Sequence, residues 1–365
     1  MEKVVKLTFA RSANDLIFNS IKQRVYAKVK ELEPARQLFI TLKAILFPLL
    51  YIAAYSIALM YGNHTLVLDM CYCSMGILLV IIFLNLIHEA VHHTLFKRKW
   101  LNQLYICFFD LMGANSYVWK IRHTRLHHNY PNIMGWDSDI EQSDLARVFP
   151  HGEFKPYHRY QHIYLPLLYP LFLFNWLLLR DFKDYFNKKK VIWKVVSIPG
   201  QEYVKLFLWK AFFLFYIFIL PKMLLGINWL QMVVAFCIMI FTGSIFALLV
   251  LISPHASVEN EFPLPDENNM MQHTWLMHQL SNTNDVNEDN WFTRFFMGCF
   301  NYHIAHHLFP NVHHVFYPEV TAIIREEAMK HQLPYRSYPL ATALFNHYRL
   351  LKQNRMPADI FEETM

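Results

Sequence analysis

Four long apolar stretches limit what this chain can fold into. They run from Leu38 to Met60, from Leu66 to Ile87, from about Leu206 to Leu225 and from Trp229 to Ser253. Each is long enough to cross the roughly 30 Å hydrocarbon core of a bilayer as a helix. Short uncharged links, YGNHT and GIN, join the stretches in two pairs. Since a spanning segment must satisfy its backbone hydrogen bonds internally, the sequence predicts an all-α membrane protein with four transmembrane helices.

Two further apolar runs are ambiguous as spans. Leu104–Tyr117 is too short and contains Asp110, and 163–179 is interrupted by Pro166 and Pro170. We expect the second of these runs to lie along the membrane interface, or to dip in and return. Within the third span, Lys210 and Lys222 lie about one turn inside the ends, where their ammonium groups could snorkel to the interfaces.

The distribution of basic residues predicts the orientation of the spans. The formal charge is +6, with Lys97–Lys99 after the second span and Lys188–Lys190 before the third. The positive-inside rule therefore places both termini in the cytoplasm, with a helical cap formed by residues 1–37, 88–205 and 254–365. This pattern favours contact with the anionic lipids of the bilayer and no nucleic acid partner. The charged N-terminus lacks the apolar core of a cleavable signal peptide.

The cysteines give no sign of a disulfide or a thiolate metal site. There are five, with no CxxC pair, and most lie in apolar stretches: Cys71, Cys73, Cys107, Cys237 and Cys299. We interpret them as reduced core or lipid-facing residues.

Three short histidine clusters recur along the chain, in HEAVHH, HTRLHH and HIAHH. Their members are His88, His92 and His93, then His123, His127 and His128, then His303, His306 and His307. Neutral imidazole is the commonest protein ligand for transition metals. Nine histidines exceed the four ligands of a structural zinc site and suit two metal ions. Three polar helix ends near lipid head groups would be the plain alternative, which the repetition on one membrane face disfavours.

The spacing within each cluster predicts how the ligands divide between the metals. On a helix, His88 and His92 share a face, as do His123 and His127, whereas His128 is turned by about 100° toward a second metal. In the third cluster, the pair His303 and His306 would hold one ion and the adjacent His307 the other.

These motifs resemble the membrane fatty acid desaturase and hydroxylase family. The resemblance rests on HEAVHH, on HTRLHHNYPNIMGWDSDIE and on NYHIAHHLFPNVHHVFYPEV, and covers most of residues 30–350. It implies a single desaturase domain over residues 1–365 and a non-haem di-iron centre that reduces O2 to water. The catalytic metal ligands would be His88, His92, His123, His127, His128, His303, His306 and His307. In this family each of the three histidine clusters is called a box. Family members use one more ligand upstream of the third box, for which His278 is the choice and His273 the rival. His93 is the least certain member of the first box.

Within the family, WLMHQL and NYHIAHHLFP look most like front-end acyl desaturases. Such enzymes usually carry Gln where this chain has His303, and often Glu where it has Ala305, which puts the position of the double bond in doubt. The haem-binding HPGG signature of a fused cytochrome b5 domain is absent, so the resemblance implies a separate electron donor of ferredoxin or cytochrome b5 type. The substrate would be a fatty acyl chain carried by CoA, a carrier protein or a lipid.

Other polar residues near the clusters have alternative interpretations. Glu89, Asp137 and Asp139 could accept hydrogen bonds from the outer nitrogens of the ligands, or be solvated acids at the interface. His313 and His314 are interpreted as interfacial residues. The scattered histidines receive no metal role: His64, His151, His158, His162, His255, His331 and His347.

Three alternative functions stay open. A lipid hydroxylase or acetylenase would use the same oxidant. A histidine-based metal transporter would need polar residues lining a path through the spans, which have few. A non-catalytic, metal-stabilised lipid-binding protein would consume no oxygen.

The last part of the cap is predicted to form two helices, near Pro318–Gln332 and Pro339–Gln353.

Overall fold

The chain is mostly helical, and this computed structural model describes residues 6–12, 14–141, 143–252 and 254–357. Ser253, the predicted end of the fourth span, and the outermost residues of the predicted cap, 1–5 and 358–365, lie outside the described residues. The α-helices are Asn14–Tyr61, Thr65–Ile82, His88–Val91, Lys99–Leu111, Ser116–Ile121, Gln161–Leu168, Phe172–Phe174, Asp181–Phe186, Ile192–Val195, Gly200–Leu214, Leu220–Leu225, Trp229–Leu251, Trp275–Asn282, Trp291–Phe295, His303–Leu308, Tyr317–His331 and Leu340–Gln353.

Wider and tighter helical turns link several of these segments. The π-helical turns are Phe83–Ile87, Arg122–His127, Asn175–Arg180 and Phe215–Ile219, and the 3₁₀ turns are Pro156–Tyr160, Tyr169–Leu171 and His314–Phe316. Two short parallel strand pairs complete the fold. Thr8–Phe9 pairs with Met270–Met271, and Asp285–Val286 pairs with Ser337–Tyr338.

Five helices of the described chain are long and apolar enough to cross a membrane. They are Asn14–Tyr61, Thr65–Val91, Pro156–Phe186, Gly200–Leu225 and Trp229–Leu251. Four of them contain the predicted spans. The first helix is much longer than a span, because its N-terminal half belongs to the predicted cap, where Arg24 pairs with Glu327 and Arg36 with Glu319.

The second and fourth of the predicted spans pack closely through glycine. A Cβ atom at Gly76 would lie 2.2 Å from the carbonyl oxygen of Met239, and one at Gly243 would lie 2.7 Å from the carbonyl oxygen of Gly76. Small residues let helix backbones approach in this way. Because His88 and His255 lie near the same ends of these two helices, this packing brings both histidines to one region.

The interrupted helix Pro156–Phe186 contacts the cap at both ends. Near its start, the Gln161 side chain donates a hydrogen bond to the carbonyl oxygen of Leu351, 2.8 Å away. Near its end, Arg180 donates to the carbonyl oxygen of Ser138, and Asp184 pairs with Arg122. A straight crossing would separate the two ends by the thickness of the membrane, so these contacts favour the predicted interfacial placement, although length and composition alone would permit a span.

Lys210 does not reach toward an interface as the sequence suggested. Its side chain is buried, and its Nζ lies 2.6 Å from Asp181 Oδ2 and also donates to the carbonyl oxygens of Gly113 and Leu177. The helix Pro156–Phe186 supplies this carboxylate, a partner that the sequence of the span does not reveal. A paired ammonium group avoids the cost of burying an uncompensated charge.

Two further predictions about the fold agree with the structure. The cap ends in helices Tyr317–His331 and Leu340–Gln353, each within about a residue of its predicted bounds. The five cysteines are free, as predicted.

Candidate metal centre

Five histidines from three separate segments converge to form the first histidine group. They are His88, His92, His123, His128 and His306, and one ring nitrogen of each lies within 4.8 Å of one from every other member. His123 is central, because its Nε2 lies 3.0 Å from Nε2 of His88 and 3.1 Å from Nε2 of His128. All members are buried except His92, which is partly exposed.

Four more histidines form the second histidine group beside the first. They are His127, His255, His303 and His307, all buried and with the same mutual spacing. The closest pair is His255 and His303, whose Nε2 atoms are 2.8 Å apart. The two groups adjoin, since the ring centroids of His128 and His307 are 4.7 Å apart.

A π turn decides how the second box divides between the groups. The backbone N–H of His128 donates to the carbonyl oxygen of His123, five residues earlier. In this wider turn residues five apart lie on one face, so His123 joins His128, and His127 faces the second group. The α-helical prediction had paired His123 with His127. Turns of this kind occur frequently at functional sites.

The third box also divides differently from the prediction. It lies on the α-helix His303–Leu308, where His303 and His307 are four apart and join one group, while His306 faces the other. The sequence had paired His303 with His306. The expected separation of adjacent histidines is present in both boxes, and His88 and His92 share a group as predicted.

The nitrogen atoms of both groups fit metal ions. A metal that binds imidazole nitrogen at about 2.1 Å leaves ligands at right angles about 3.0 Å apart, which matches the closest contacts. Nε2 of His92, His306 and His307 is buried without a hydrogen-bond partner in the described residues. Such buried polar atoms are costly unless a ligand satisfies them.

Burial favours the neutral form, which metals require, for most of the grouped imidazoles. Burial, followed by the neighbouring histidines, lowers the pKa of His92 and keeps the pKa of His123 and of His306 well below the usual value. In the second group, burial and His127 lower the pKa of His255 to about 3. Near neutral pH these rings are therefore uncharged, with lone pairs available for a metal.

Oxygen atoms around the groups orient the rings through their outer nitrogens. Nδ1 of His127 lies 3.0 Å from Asp137 Oδ1, and Nδ1 of His123 lies 3.3 Å from Asp139 Oδ2. Nδ1 of His307 donates to Gln279 Oε1 at 3.0 Å. Such contacts fix the ring orientation and raise the basicity of the ligand.

Asp137 is more deeply buried than Asp139, and its carboxylate accepts several backbone hydrogen bonds. It is fully buried, and its carboxylate accepts backbone N–H hydrogen bonds from Asn132, Asp139 and Ile140. Burial opposes a charge on His127, but the Asp137 carboxylate outweighs it and raises the pKa of this histidine. Asp137 and Asp139 thus take the hydrogen-bonding role and not that of solvated acids.

The ninth member of the two groups is His255, to which the sequence analysis gave no metal role. His255 follows the fourth predicted span, and its Nδ1 donates to the carbonyl oxygen of Asn282 at 3.1 Å. His278 lies outside both groups; its ring contacts the Asn282 amide and packs on Phe9 at 5.1 Å. The rival His273 has a side chain that is 46% exposed and lies near Glu261.

His93, the least certain member of its box, also lies outside both groups. It follows the end of the helix His88–Val91 in the left-handed conformation, with φ of 61°, and is exposed. In the same box, Glu89 makes no hydrogen bond to the adjacent His88, since Glu89 Oε1 lies 3.7 Å from His88 Nδ1.

Glu89 instead forms a separate buried cluster with His313 and His314. Glu89 Oε1 lies 3.3 Å from Nδ1 of His314, and Lys43 Nζ lies 3.1 Å from Nε2 of the same ring. Both histidines are buried and not at an interface as expected. This cluster ties the first long helix to the first and third boxes.

An apolar slot leads from the surface toward the histidine groups. It is a cavity of about 460 Å³ between the helix Pro156–Phe186 and the end of Trp229–Leu251. Its inner walls, Ile140, Phe172 and Leu251, also line a space of about 80 Å³ beside His88, His123, His127, His255 and His303. Beside Trp176 lies a small apolar space of about 10 Å³, which Leu251 also borders.

Comparison with known proteins adds an independent finding. The family model described as fatty acid desaturase matches residues 63–339. An acyl-lipid (8-3)-desaturase of Physcomitrium patens is 30% identical over 359 residues, which are 96% of this chain and 74% of that protein. The sn-1 linoleoyl-lipid 6-desaturases of Arthrospira platensis and of a Synechocystis strain are 31% and 30% identical. Those two alignments cover 66% and 73% of this chain, and 65% and 75% of the relatives.

Proposed function

Because this chain belongs to the fatty acid desaturase family, we propose that its two histidine groups bind two iron ions and that it uses them to desaturate a fatty acyl chain. The observation that carries the proposal is the convergence of nine histidines into two adjoining groups beside an apolar slot. Imidazole ligands suit iron, and oxygen chemistry on saturated carbon needs such a metal.

When bound, the two irons would supply the reduction of O2 to water with two external electrons and the removal of two hydrogens from neighbouring carbons. The protein's share is to fix the ligands, hold the acyl chain and exclude water. Asp137 and Gln279 keep the rings of His127 and His307 in one orientation through their outer nitrogens. Trp119, which stacks on His123 at 5.0 Å, and Phe300 shield the first group.

We assign the apolar slot to the acyl chain. Leu251 borders all three spaces, so a chain that enters from the outer cavity would pass Phe172 and reach the histidine groups, with its end toward the small apolar space beside Trp176. Exposed apolar residues such as Leu167, Leu171 and Leu179 surround this side of the molecule. A lipid could therefore deliver its chain sideways from the bilayer.

Filling the slot should stop turnover without disturbing the histidines. We expect Leu251→Trp to lower desaturation by about tenfold or more, because the indole would occupy the passage that all three spaces share. Leu249→Trp is the matched control, since Leu249 lies on the same helix but is exposed. Product yield and iron content per chain are the measurements. Equal activity in the two variants would show that the acyl chain does not pass through the slot.

The relatives suggest the substrate class. All three relatives described above are named for acyl groups on lipids, and we propose an acyl-lipid substrate for this chain as well. The sequence has no HPGG signature, so the electrons come from a donor that these 365 residues do not include. A ferredoxin or cytochrome b5 type protein would serve.

We propose that four helices cross the membrane and that the histidine groups face the cytoplasm. All nine histidines lie together, which requires an even number of crossings between the second box and His255. The helices Gly200–Leu225 and Trp229–Leu251 supply two, and the cap contacts at both ends of Pro156–Phe186 support its interfacial position.

Single cysteines would test this topology. We expect Asn63→Cys to react with a membrane-impermeant thiol reagent from the outer face, and Lys188→Cys only from the cytoplasmic face; both residues are exposed. The unsubstituted chain gives the background of the native cysteines. Labelling of Lys188→Cys from outside would mean that Pro156–Phe186 crosses the membrane, and the proposed topology would then fail.

Fatty acid profiling of cells that express the chain tests the function itself. The wild type should add a new unsaturated product, and His127→Ala should add none while remaining in the membrane fraction. A hydroxylated or acetylenic product would show that the enzyme is a hydroxylase or an acetylenase and not a desaturase. Oxygen-independent product formation would contradict the proposal.

A further inference from the structure

A basic pocket lies at the end of the helix Pro156–Phe186, apart from the histidine groups. It encloses about 200 Å³. Five cations line it: Arg180, Lys183, Lys189, Lys190 and Lys194. Two carboxylates, Asp184 and Glu141, face the same space.

Three of these cations have neither an ionic partner nor a side-chain hydrogen bond among the described residues. Arg180 pairs with Asp139, and Asp184 is taken by Arg122, while Lys194 Nζ donates to the carbonyl oxygen of Gly135 at 2.9 Å. Within the described ranges, no carboxylate oxygen lies within 4.0 Å of the ammonium group of Lys183, Lys189 or Lys190. These three lysines therefore face only Glu141 as a free carboxylate, and the pocket has an excess of positive charge.

The basic pocket adjoins both the apolar slot and the space at the histidines. Lys183 lines the pocket and the outer cavity of the slot, and Arg180 lines the pocket and the space beside His123 and His127. A positive cavity beside an apolar one, with Lys183 in the wall of both, matches a molecule with an anionic head and a hydrocarbon tail. Phosphate is the anion that lysine ammonium groups bind as point charges.

We propose that the basic pocket binds the phosphate group of the molecule that carries the acyl chain, so that this phosphate fixes how far the chain enters the slot. The inference rests on the proposed function for the identity of the chain, but not for the phosphate itself. A phospholipid and an acyl-CoA share this phosphate chemistry. The exposed apolar surface around the slot favours the phospholipid.

The test is equilibrium binding of radiolabelled lipids to the full chain in dodecylmaltoside micelles. The variant Lys183→Gln/Lys189→Gln/Lys190→Gln should bind dioleoylphosphatidylcholine about tenfold or more weakly than the wild type, with little change for dioleoylglycerol, which lacks the phosphate. The control Lys30→Gln/Lys188→Gln/Lys352→Gln removes three exposed lysines outside the pocket and should bind both lipids like the wild type. A third arm uses oleoyl-CoA, and a loss confined to that arm supports the phosphate site and identifies CoA as its source.

Two outcomes would overturn the inference. Equal weakening for dioleoylphosphatidylcholine and dioleoylglycerol would show that the lysines support the slot and not a phosphate. If the pocket variant bound the lipids like the wild type but had a raised KM for the electron donor, the basic pocket would be a contact site for an acidic protein. If the wild type binds phospholipid through these lysines but yields no desaturated product, the proposed function fails and the phosphate site remains.

Discussion

Replacing His255 by alanine should lower desaturation by at least about a hundredfold, whereas His278→Ala should keep most of the activity per folded molecule. His255 supplies one of only four imidazoles in the second histidine group, and its Nε2 lies 2.8 Å from Nε2 of His303. The three remaining imidazoles would leave a bound metal open to solvent and loosely held. Product yield, corrected for the amount of folded protein, is the measurement.

His278→Ala serves as the matched control because this residue is also a buried histidine, with contacts to Asn282 and Phe9. Its loss should cost about 1–3 kcal/mol of folding stability while leaving the iron content intact. An inactive His278→Ala together with an active His255→Ala would restore the assignment that the sequence alone suggested.

Double substitutions should show that adjacent histidines serve different metals. We expect His127→Ala/His307→Ala, which removes two ligands of the second group, to retain about one iron per chain. The variant His127→Ala/His128→Ala takes one ligand from each group and should retain less iron when both are challenged with the same chelator. Both should be inactive, because the reaction requires the complete centre.

The two double variants each lack two histidines, so any difference in their iron content reflects how the histidines are grouped and not how many are removed. Iron content after the chelator challenge is measured with thermal unfolding as the check on folding. If His127→Ala/His128→Ala retained more iron than His127→Ala/His307→Ala, the division of ligands made by the π turn would be wrong.

Much of this centre could be predicted from local sequence patterns. The three histidine boxes and the apolar stretches are short-range features, so the sequence alone identifies eight of the nine grouped histidines. The acids Asp137 and Asp139 were also candidates, because they follow the second box closely. Close spacing along a helix is enough to find such residues.

The division of ligands was not predictable, because ordinary helical periodicity assumes a turn of 3.6 residues. The π turn Arg122–His127 changes which residues share a face, and it depends on tertiary packing. His255 was missed because it stands alone in sequence. Its one local signal is its position directly after an apolar span, which it shares with the first box.

Long-range partners were equally invisible in the sequence. Lys210 looked like a snorkelling residue because its carboxylate partner, Asp181, lies on a different helix. His313 and His314 looked interfacial until Glu89 and Lys43 were placed beside them. Such buried pairs depend on how the helices pack and not on any periodic pattern.

The most direct test of the central claim is an iron titration of the purified, metal-free protein with its electron donor, O2 and lipid substrate. Desaturated product per minute is plotted against ferrous equivalents added per chain. Two histidine groups that act together predict no activity without iron and a plateau at two equivalents. A plateau at one equivalent, or full activity with zinc in place of iron, would contradict the assignment of these groups to a di-iron centre.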